Sequence, residues 1–229
     1  MKLLILIPMY NSERFIKECL TSLVNQDIDM KIVVIDDAST DNSVKIASTF
    51  KEVAIVKNSK NMGTYYSVNV GLHAMSNETD WTHYTIHGSD DISLRDRFKT
   101  QLNVFKDRTG IAVGCKFIRT DYITGKTKPT NPNTNESVLI FDRRIFNEIG
   151  YYDNGRMACD TEYKRRMLLR FPNSIFNVNM FLIKSYLHNS NLTKKIPLGG
   201  TLRKNYVARF TQEHQKMKIK NNFYKDFTP

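Results

Sequence analysis

The chain has 229 residues, 41% hydrophobic and 25% charged, a balance that allows one buried core and excludes a disordered or fibrous chain. Cys19, Cys115 and Cys159 are scattered, odd in number and in no C-x-x-C pair, which argues against a disulfide framework or a zinc knuckle and for a reducing compartment. The formal net charge of +11 concerns partners rather than fold, and points to anions.

The opening MKLLILIP reads as a buried strand, because Pro8 and the polar Tyr10, Asn11 and Ser12 follow at once with no small-residue cleavage site. Phe15, Ile16, Cys19, Leu20, Leu23 and Val24 then recur at helical spacing, with Asn11 or Ser12 placed to cap the helix. Lys31 to Ile35 is a strand, Asn42 to Phe50 a helix, Val53 to Val56 a strand, Thr64 to Met75 a helix and His83 to Ile86 a strand. This alternation predicts βαβ units and a parallel sheet, with ligands beyond the carboxyl ends of the strands. A helix is expected from near Leu94, capped by Asp91 or Ser93. Beyond it come a strand at Ile111 to Ile118, a hairpin or loop at Asp121 to Lys128 and a polar connector at Pro129 to Glu136. A strand at Val138 to Phe141, helices at Arg143 to Ile149 and Asp160 to Arg170, and a strand at Leu182 to Leu187 follow. A basic segment, helical from Thr201, ends the pattern: Lys194, Lys195, Arg203, Lys204, Arg209, Lys216, Lys218, Lys220 and Lys225 face only Glu213 and Asp226. No stretch approaches the roughly 20 apolar residues that span a bilayer, so any membrane contact is expected to be peripheral.

Two acidic groups end strands of this sheet. Asp36 and Asp37 open the run DDASTD, where paired carboxylates repel unless they have work such as accepting hydrogen bonds from a base or ribose; the plainer reading is a cap by Ser39 or Asp41 on the next helix. Asp90 and Asp91, in HGSDD, are expected at the same edge. Two clusters of hard oxygens together suggest Mg²⁺ or Mn²⁺, which neutralises a departing diphosphate. His87 is expected to pack or hydrogen-bond at its strand end. Gly63 permits an unusual turn, and Asn61 is placed to cap or bond locally.

The ordered segments IPMYN, VVIDDASTDNS, NSKNMGTYYSVNVGL, HGSDDISLRDRFKTQ and ESVLIFDRRIFNEIGYYDNGRMACDTEYKRR resemble glycosyltransferase family 2 over roughly residues 2 to 190. The resemblance implies an α/β, Rossmann-like GT-A fold: a mixed, mainly parallel sheet flanked by helices, with a basic C-terminal extension. It implies a catalytic domain over 1–190, divided into a nucleotide-sugar-binding half (1–92) and an acceptor-side half (93–190), then the extension (191–229). Pro8, Tyr10 and Asn11 match the segment beside the nucleotide, and Asp37 matches the acid that binds the base. Asn61 and Gly63 are grouped with the donor site. Asp90 and Asp91 take the D-x-D role, with Asp91 on the metal. Asp160 matches the catalytic base of inverting members; Glu162 is the adjacent candidate, with a plainer reading as a surface acid paired with Arg165 or Arg166. His188 matches a late position near the metal or diphosphate, with a surface-loop histidine as the alternative. The chain departs from relatives in having Val68 where many carry Arg, and Ser-Asp-Asp in place of Asp-x-Asp.

The expected activity is therefore metal-dependent transfer of a sugar, with inversion, from a nucleotide sugar such as a UDP-sugar to an acceptor hydroxyl, on a glycan by default. The basic charge adds a second reading, transfer to hydroxymethylated bases of nucleic acid, and a third is an inactive nucleic-acid-binding relative. The expected location is cytoplasmic, in a bacterium or in the host of a virus.

Overall fold

The computed structural model describes residues 1–107, 109–130, 138–189, 191 and 200–229. Most of the expected polar connector, with Lys194 and Lys195, lies outside the described residues. The chain opens as β1 (Leu3–Met9), α1 (Ile16–Val24), β2 (Met30–Asp36), α2 (Ser43–Ala47), β3 (Val53–Lys57), α3 (Thr64–Met75) and β4 (His83–Ile86). The four strands are parallel, in the order β3-β2-β1-β4. Alternate residues feed two cores. Leu4, Leu6, Val33 and Ile35 cluster with Val68 and Leu72 of α3, while Leu3, Ile5, Ile7, Ile32 and Val34 cluster with Ile16, Cys19, Leu20 and Leu23 of α1. Both faces of the sheet are covered, which is why the sequence reads as an unbroken apolar run. Each such side chain contributes roughly 1.5–3 kcal/mol by leaving water.

The chain continues as β5 (Asp91–Ser93), α4 (Arg97–Asp107), β6 (Ala112–Asp121), β7 (Thr127–Pro129), β8 (Ile140–Asp142), α5 (Arg143–Ile149), α6 (Cys159–Arg170), β9 (Ile175–Leu187) and α7 (Thr201–Lys220). β8 joins the first half antiparallel to β4 and to β6, β6 runs parallel to β9, and β5 closes the far edge antiparallel to β9. The hairpin at Asp121 brings β7 onto β6. The result is the mixed sheet flanked by helices that the sequence predicts.

Three local readings change. The helix expected from Leu94 starts at Arg97, because Asp91–Ser93 is drawn into the sheet against Ser185 to Ile183 and the Leu94 amide donates to the Leu182 carbonyl at 2.9 Å. β9 starts at Ile175 rather than Leu182: its first half is largely exposed or half-buried, so no apolar run announces it, yet β6 supplies a hydrogen-bonding partner. Neither Asn11 nor Ser12 caps α1 with its side chain. The Ser12 carbonyl accepts from the Phe15 and Ile16 amides (both 2.9 Å), and the Asn11 side chain serves a different loop.

The basic segment is held against the body of the protein. Phe210 and His214 of α7 are buried, as are Phe223 and Phe227 beyond it. The Lys225 amide donates to Ile149 O (3.1 Å), and Lys225 O accepts from the Tyr151 amide (3.0 Å). No helix among the described residues is long and apolar enough to cross a membrane.

Candidate active site

The loops after β1, β2 and β4 meet at one edge of the sheet. Asn11 takes up a left-handed conformation (φ 48°), its amide donating to Ser39 Oγ (3.0 Å) and its Oδ1 accepting from the Thr40 amide (2.8 Å). The loop that leaves β1 just after Pro8, with Tyr10 and Asn11, is thereby tied to the loop that leaves β2 at Asp36, with Asp37. Tyr10 projects outward, 49% exposed. Asp41, one residue before the Asn42 cap position, accepts from the Ser43 amide at the start of α2 through its Oδ1 at 2.9 Å, and Asn42 itself makes no side-chain cap.

Asp37 is buried and organises the loop before α3. Its Oδ1 accepts from Asn58 Nδ2 (2.8 Å) and the Met62 amide (2.9 Å), and its Oδ2 from the Gly63 amide (2.8 Å). A carboxylate offers roughly four acceptor positions, so these donors do not saturate it. Gly63, at φ 99° and ψ 165°, occupies backbone space that is essentially reserved for glycine. Asn61 does not bond locally: Arg156, far along the chain, donates to its Oδ1 (3.1 Å) and its carbonyl (2.8 Å).

Asp90 and Asp91 converge. A Cβ placed on Gly88 would lie 2.9 Å from Asp90 Oδ1 and 2.7 Å from Asp91 Oδ2, so both oxygens border one small volume that only glycine leaves open. The other oxygen of Asp90 is clasped by residues that follow β9. His188 Nε2 lies 2.8 Å from Asp90 Oδ2, Asn191 Nδ2 donates to the same atom at 2.9 Å, and the His188 ring stacks on Phe15 with centroids 4.4 Å apart. Beneath the pair, His87 is fully buried with Nε2 3.0 Å from Ser93 Oγ and Nδ1 2.8 Å from Gly88 O, the strand-end hydrogen bonding expected of it. Burial first, then the nearby Arg97 guanidinium, holds its pKa down at about 3, so it stays neutral. Burial and the charges of Asp91 and Asp90 push the Cys19 thiol well up, so it is no thiolate ligand. No group of three or more His, Cys, Asp or Glu among the described residues is arranged to hold a metal by itself. Asp90 and Asp91 nevertheless fit a divalent cation, since Mg²⁺ and Mn²⁺ commonly take one or two carboxylates and complete their shell with substrate phosphates and water.

Asp160 and Glu162 differ sharply. Asp160 lies half-buried in the first turn of α6, where the helix N-terminus favours a carboxylate, with Thr161 Oγ1 3.4 Å from its Oδ1. Glu162 is not a surface acid. It is fully buried, accepting from Arg166 Nε (2.8 Å) and facing His214 Nε2 (2.9 Å) and Lys225 Nζ (3.2 Å). Burial alone would raise its pKa, but His214, Arg166 and Lys225 outweigh burial and hold it at about 2. Its partners Lys225 and His214 lie too far along the chain for helical spacing to disclose. Asn58, Arg156 and Asn191 carry no signal in the sequence, and Phe15 reads there only as an apolar helix position, as each acts through a long-range contact.

A doubly wound half-sheet with paired acids at its ligand edge, extended by a mixed second half, defines a GT-A-like fold. The sequence pattern of glycosyl transferase family 2 matches residues 4–171. The chain belongs to that family. A poly(ribitol-phosphate) beta-glucosyltransferase of Bacillus spizizenii is 44% identical over 70 residues, 28% of this chain and 11% of that protein. The chain thus spans only a small part of this relative's length. The crystal structure of Staphylococcus aureus TarS in complex with UDP-GlcNAc superposes with a TM-score of 0.77 at 18% identity, covering 93% of this chain and 66% of that one. A Pyrobaculum calidifontis mannosyltransferase in complex with GDP-Man and Mn²⁺ gives 0.60 at 17% identity, covering 99% and 65%.

Proposed function

We propose that the protein is a nucleotide-sugar-dependent glycosyltransferase that transfers a sugar, from a UDP-sugar donor, to a hydroxyl of an anionic, phosphodiester-linked polyol polymer. The convergence of Asp90 Oδ1 and Asp91 Oδ2 at Gly88, at the carboxyl edge of the sheet, carries this reading. The acceptor class rests on the names of relatives, a poly(ribitol-phosphate) beta-glucosyltransferase and the poly(ribitol-phosphate) beta-N-acetylglucosaminyltransferase TarS, and on this chain's basic charge. That charge suits a polymer of phosphates as well as it suits nucleic acid, and the relatives named here favour the polymer.

In this proposal residues 1–92 bind the donor and 93–190 face the acceptor. Pro8, Tyr10 and Asn11 border the nucleoside. Asp37 accepts a hydrogen bond from the base while its other contacts hold the loop with Asn61 and Gly63 in place. Asp90 and Asp91 hold Mn²⁺ or Mg²⁺, which when bound neutralises charge on the departing diphosphate. His188 acts through Asp90, fixing the carboxylate so that Oδ1 faces Asp91. Asp160 takes the proton of the acceptor hydroxyl as its oxygen bonds to the anomeric carbon and the bond from that carbon to the diphosphate oxygen breaks, with inversion. Three buried free cysteines suit a cytoplasmic setting.

The test is a panel of nucleotide sugars with Mn²⁺, scored by melting temperature and by transfer to poly(ribitol phosphate) and to neutral oligosaccharides. A UDP-sugar that raises the melting temperature and labels the phosphodiester polymer supports the reading. A donor from another nucleotide, or label confined to neutral oligosaccharide, overturns the corresponding part.

A further inference from the structure

We propose that the outer face of α7 is the track on which the anionic acceptor polymer docks and along which it is fed to Asp160. The inference rests on the acceptor class proposed above. It begins from the way α7 divides its side chains. Phe210 and His214 are buried against α6, Tyr206 donates to Asp153 Oδ2 at 2.6 Å, and His214 meets Glu162 at 2.9 Å. Lys204, Arg209, Lys216, Lys218 and Lys220 are exposed, Lys218 on the side that borders α6. Glu213 is the helix's acid, and it lies 3.6 Å from both Arg209 and Lys225, the second of which sits at the buried Glu162. A basic segment that served solubility alone would have no need of a rigid seat. This one is held at fixed positions, so its charges form a surface of defined shape.

The direction of the helix gives that surface a use. Arg203, in the first turn of α7, donates to Thr161 Oγ1 at 3.2 Å, and Thr161 is the neighbour of Asp160. At about 1.5 Å per residue the helix runs roughly 30 Å away from that point, long enough to meet several phosphates of an extended polymer. Like charges three or four residues apart on a helix repel, as at Lys216 and Lys220, and a polyanion relieves that repulsion. At the far end a cavity of about 400 Å³ opens between α6 and α7, with Leu168 and Leu169 in its wall and Arg165 and Lys218 at its sides. The flanking cations suit the phosphates of such a polymer, and Thr211 and Gln215 in the same lining offer hydrogen-bonding groups to its hydroxyls. A single sugar diphosphate bound at Asp90 and Asp91 requires none of these groups.

The experiment uses the full chain with the donor found in the panel, comparing wild type with K216Q/K218Q/K220Q and, as a second variant, K204Q/R209Q. Initial rates are measured on poly(ribitol phosphate), on free ribitol, and with no acceptor. The track requires both variants to raise KM for the polymer about tenfold or more, with kcat, transfer to ribitol and donor hydrolysis within twofold of wild type. It also requires wild-type KM for the polymer to rise by at least about tenfold between 50 and 200 mM salt, and the variants to flatten that slope. Melting temperatures show that the variants are folded, and the second variant stands if the first is not. Efficient polymer transfer with unchanged KM and salt slope overturns the track while leaving the acceptor class intact. Absence of polymer transfer by wild type, with label on neutral oligosaccharide, overturns the acceptor class and the track with it. Loss of binding to anionic vesicles in variants that keep the polymer KM assigns the face to a membrane surface and likewise overturns the track.

Discussion

His188 Nε2 lies 2.8 Å from Asp90 Oδ2 and not in a three-ligand cluster with Asp91, so the histidine at the end of β9 grips an acid of the pair. Asn191 donates to the same oxygen at 2.9 Å. Groups that orient a metal ligand typically alter metal affinity by 10–100-fold when removed. Asn191→Ala is therefore expected to weaken Mn²⁺ binding by roughly tenfold while sparing metal-free UDP binding, whereas Asp91→Ala abolishes transfer. Titration of Mn²⁺ by electron paramagnetic resonance in the presence of UDP reads both. Wild-type Mn²⁺ affinity in Asn191→Ala would remove the clasp from the proposal, and full turnover of Asp91→Ala would remove the metal.

Asp160→Asn keeps shape and loses the proton acceptor. Turnover is expected to fall by roughly 10²-fold or more with the donor dissociation constant nearly unchanged, because a base acts on the acceptor in the transition state. Calorimetry with the donor and initial rates with the acceptor separate the two; lost donor affinity at an unchanged rate would make Asp160 a binding residue.

Glu162→Gln removes the anion at the centre of Arg166, His214 and Lys225. Leaving buried cations without their partner costs about 3 kcal/mol or more, which lowers the melting temperature by on the order of 5–10 °C. The Glu162 pKa is depressed to about 2 from an ordinary 4.5, so its stabilisation is full above pH 4.5 and drains away as pH falls toward 2. Urea midpoints between pH 5 and pH 2.5 should fall more steeply for wild type than for Glu162→Gln. Equal slopes would show that the acid is not ionised in the folded protein.

Gly63→Ala tests the loop that Asp37 organises. A Cβ there meets nothing closer than Arg156 Cγ at 3.5 Å, so space is available and the cost is conformational. About 1–3 kcal/mol of backbone strain is expected, together with weaker UDP binding because the Gly63 amide no longer holds its place against Asp37 Oδ2. Melting temperature and UDP calorimetry check the two effects, and unchanged values in both would place the loop outside the donor site.

The first half of the fold was legible because its elements announce themselves locally. α3 and β4 occupy the residues that the sequence pattern predicts, as α5 does in the second half, and Asp36 ends β2, while Asp90 and Asp91 stand past the turn after β4, where β5 begins. β5 escaped because three residues beginning with Asp91 carry no period, and the start of β9 escaped because its exposed side chains show no apolar face. Glu162 was misread for a related reason. A glutamate followed four residues later by Arg166 looks like an exposed helix pair, and only His214 and Lys225, brought in by tertiary folding, make it the centre of a buried cluster. Asn191 has no signal at all until the turn after β9 places it against Asp90.

The stitch between Lys225 and the residues around Gly150 sets an order of assembly. The parallel half of the sheet packs largely on α1 and α3 from its own stretch of chain, with Phe98, Leu102 and Ile140 as later partners. Glu162 and Arg166, by contrast, are charges whose burial is costly until His214 and Lys225 have been made, and Arg166 also donates to the Phe223 carbonyl at 3.1 Å. The first turn of α6, which carries Asp160, is therefore buttressed from a distant stretch of the chain, and its packing is complete only once His214, Phe223 and Lys225 are in place.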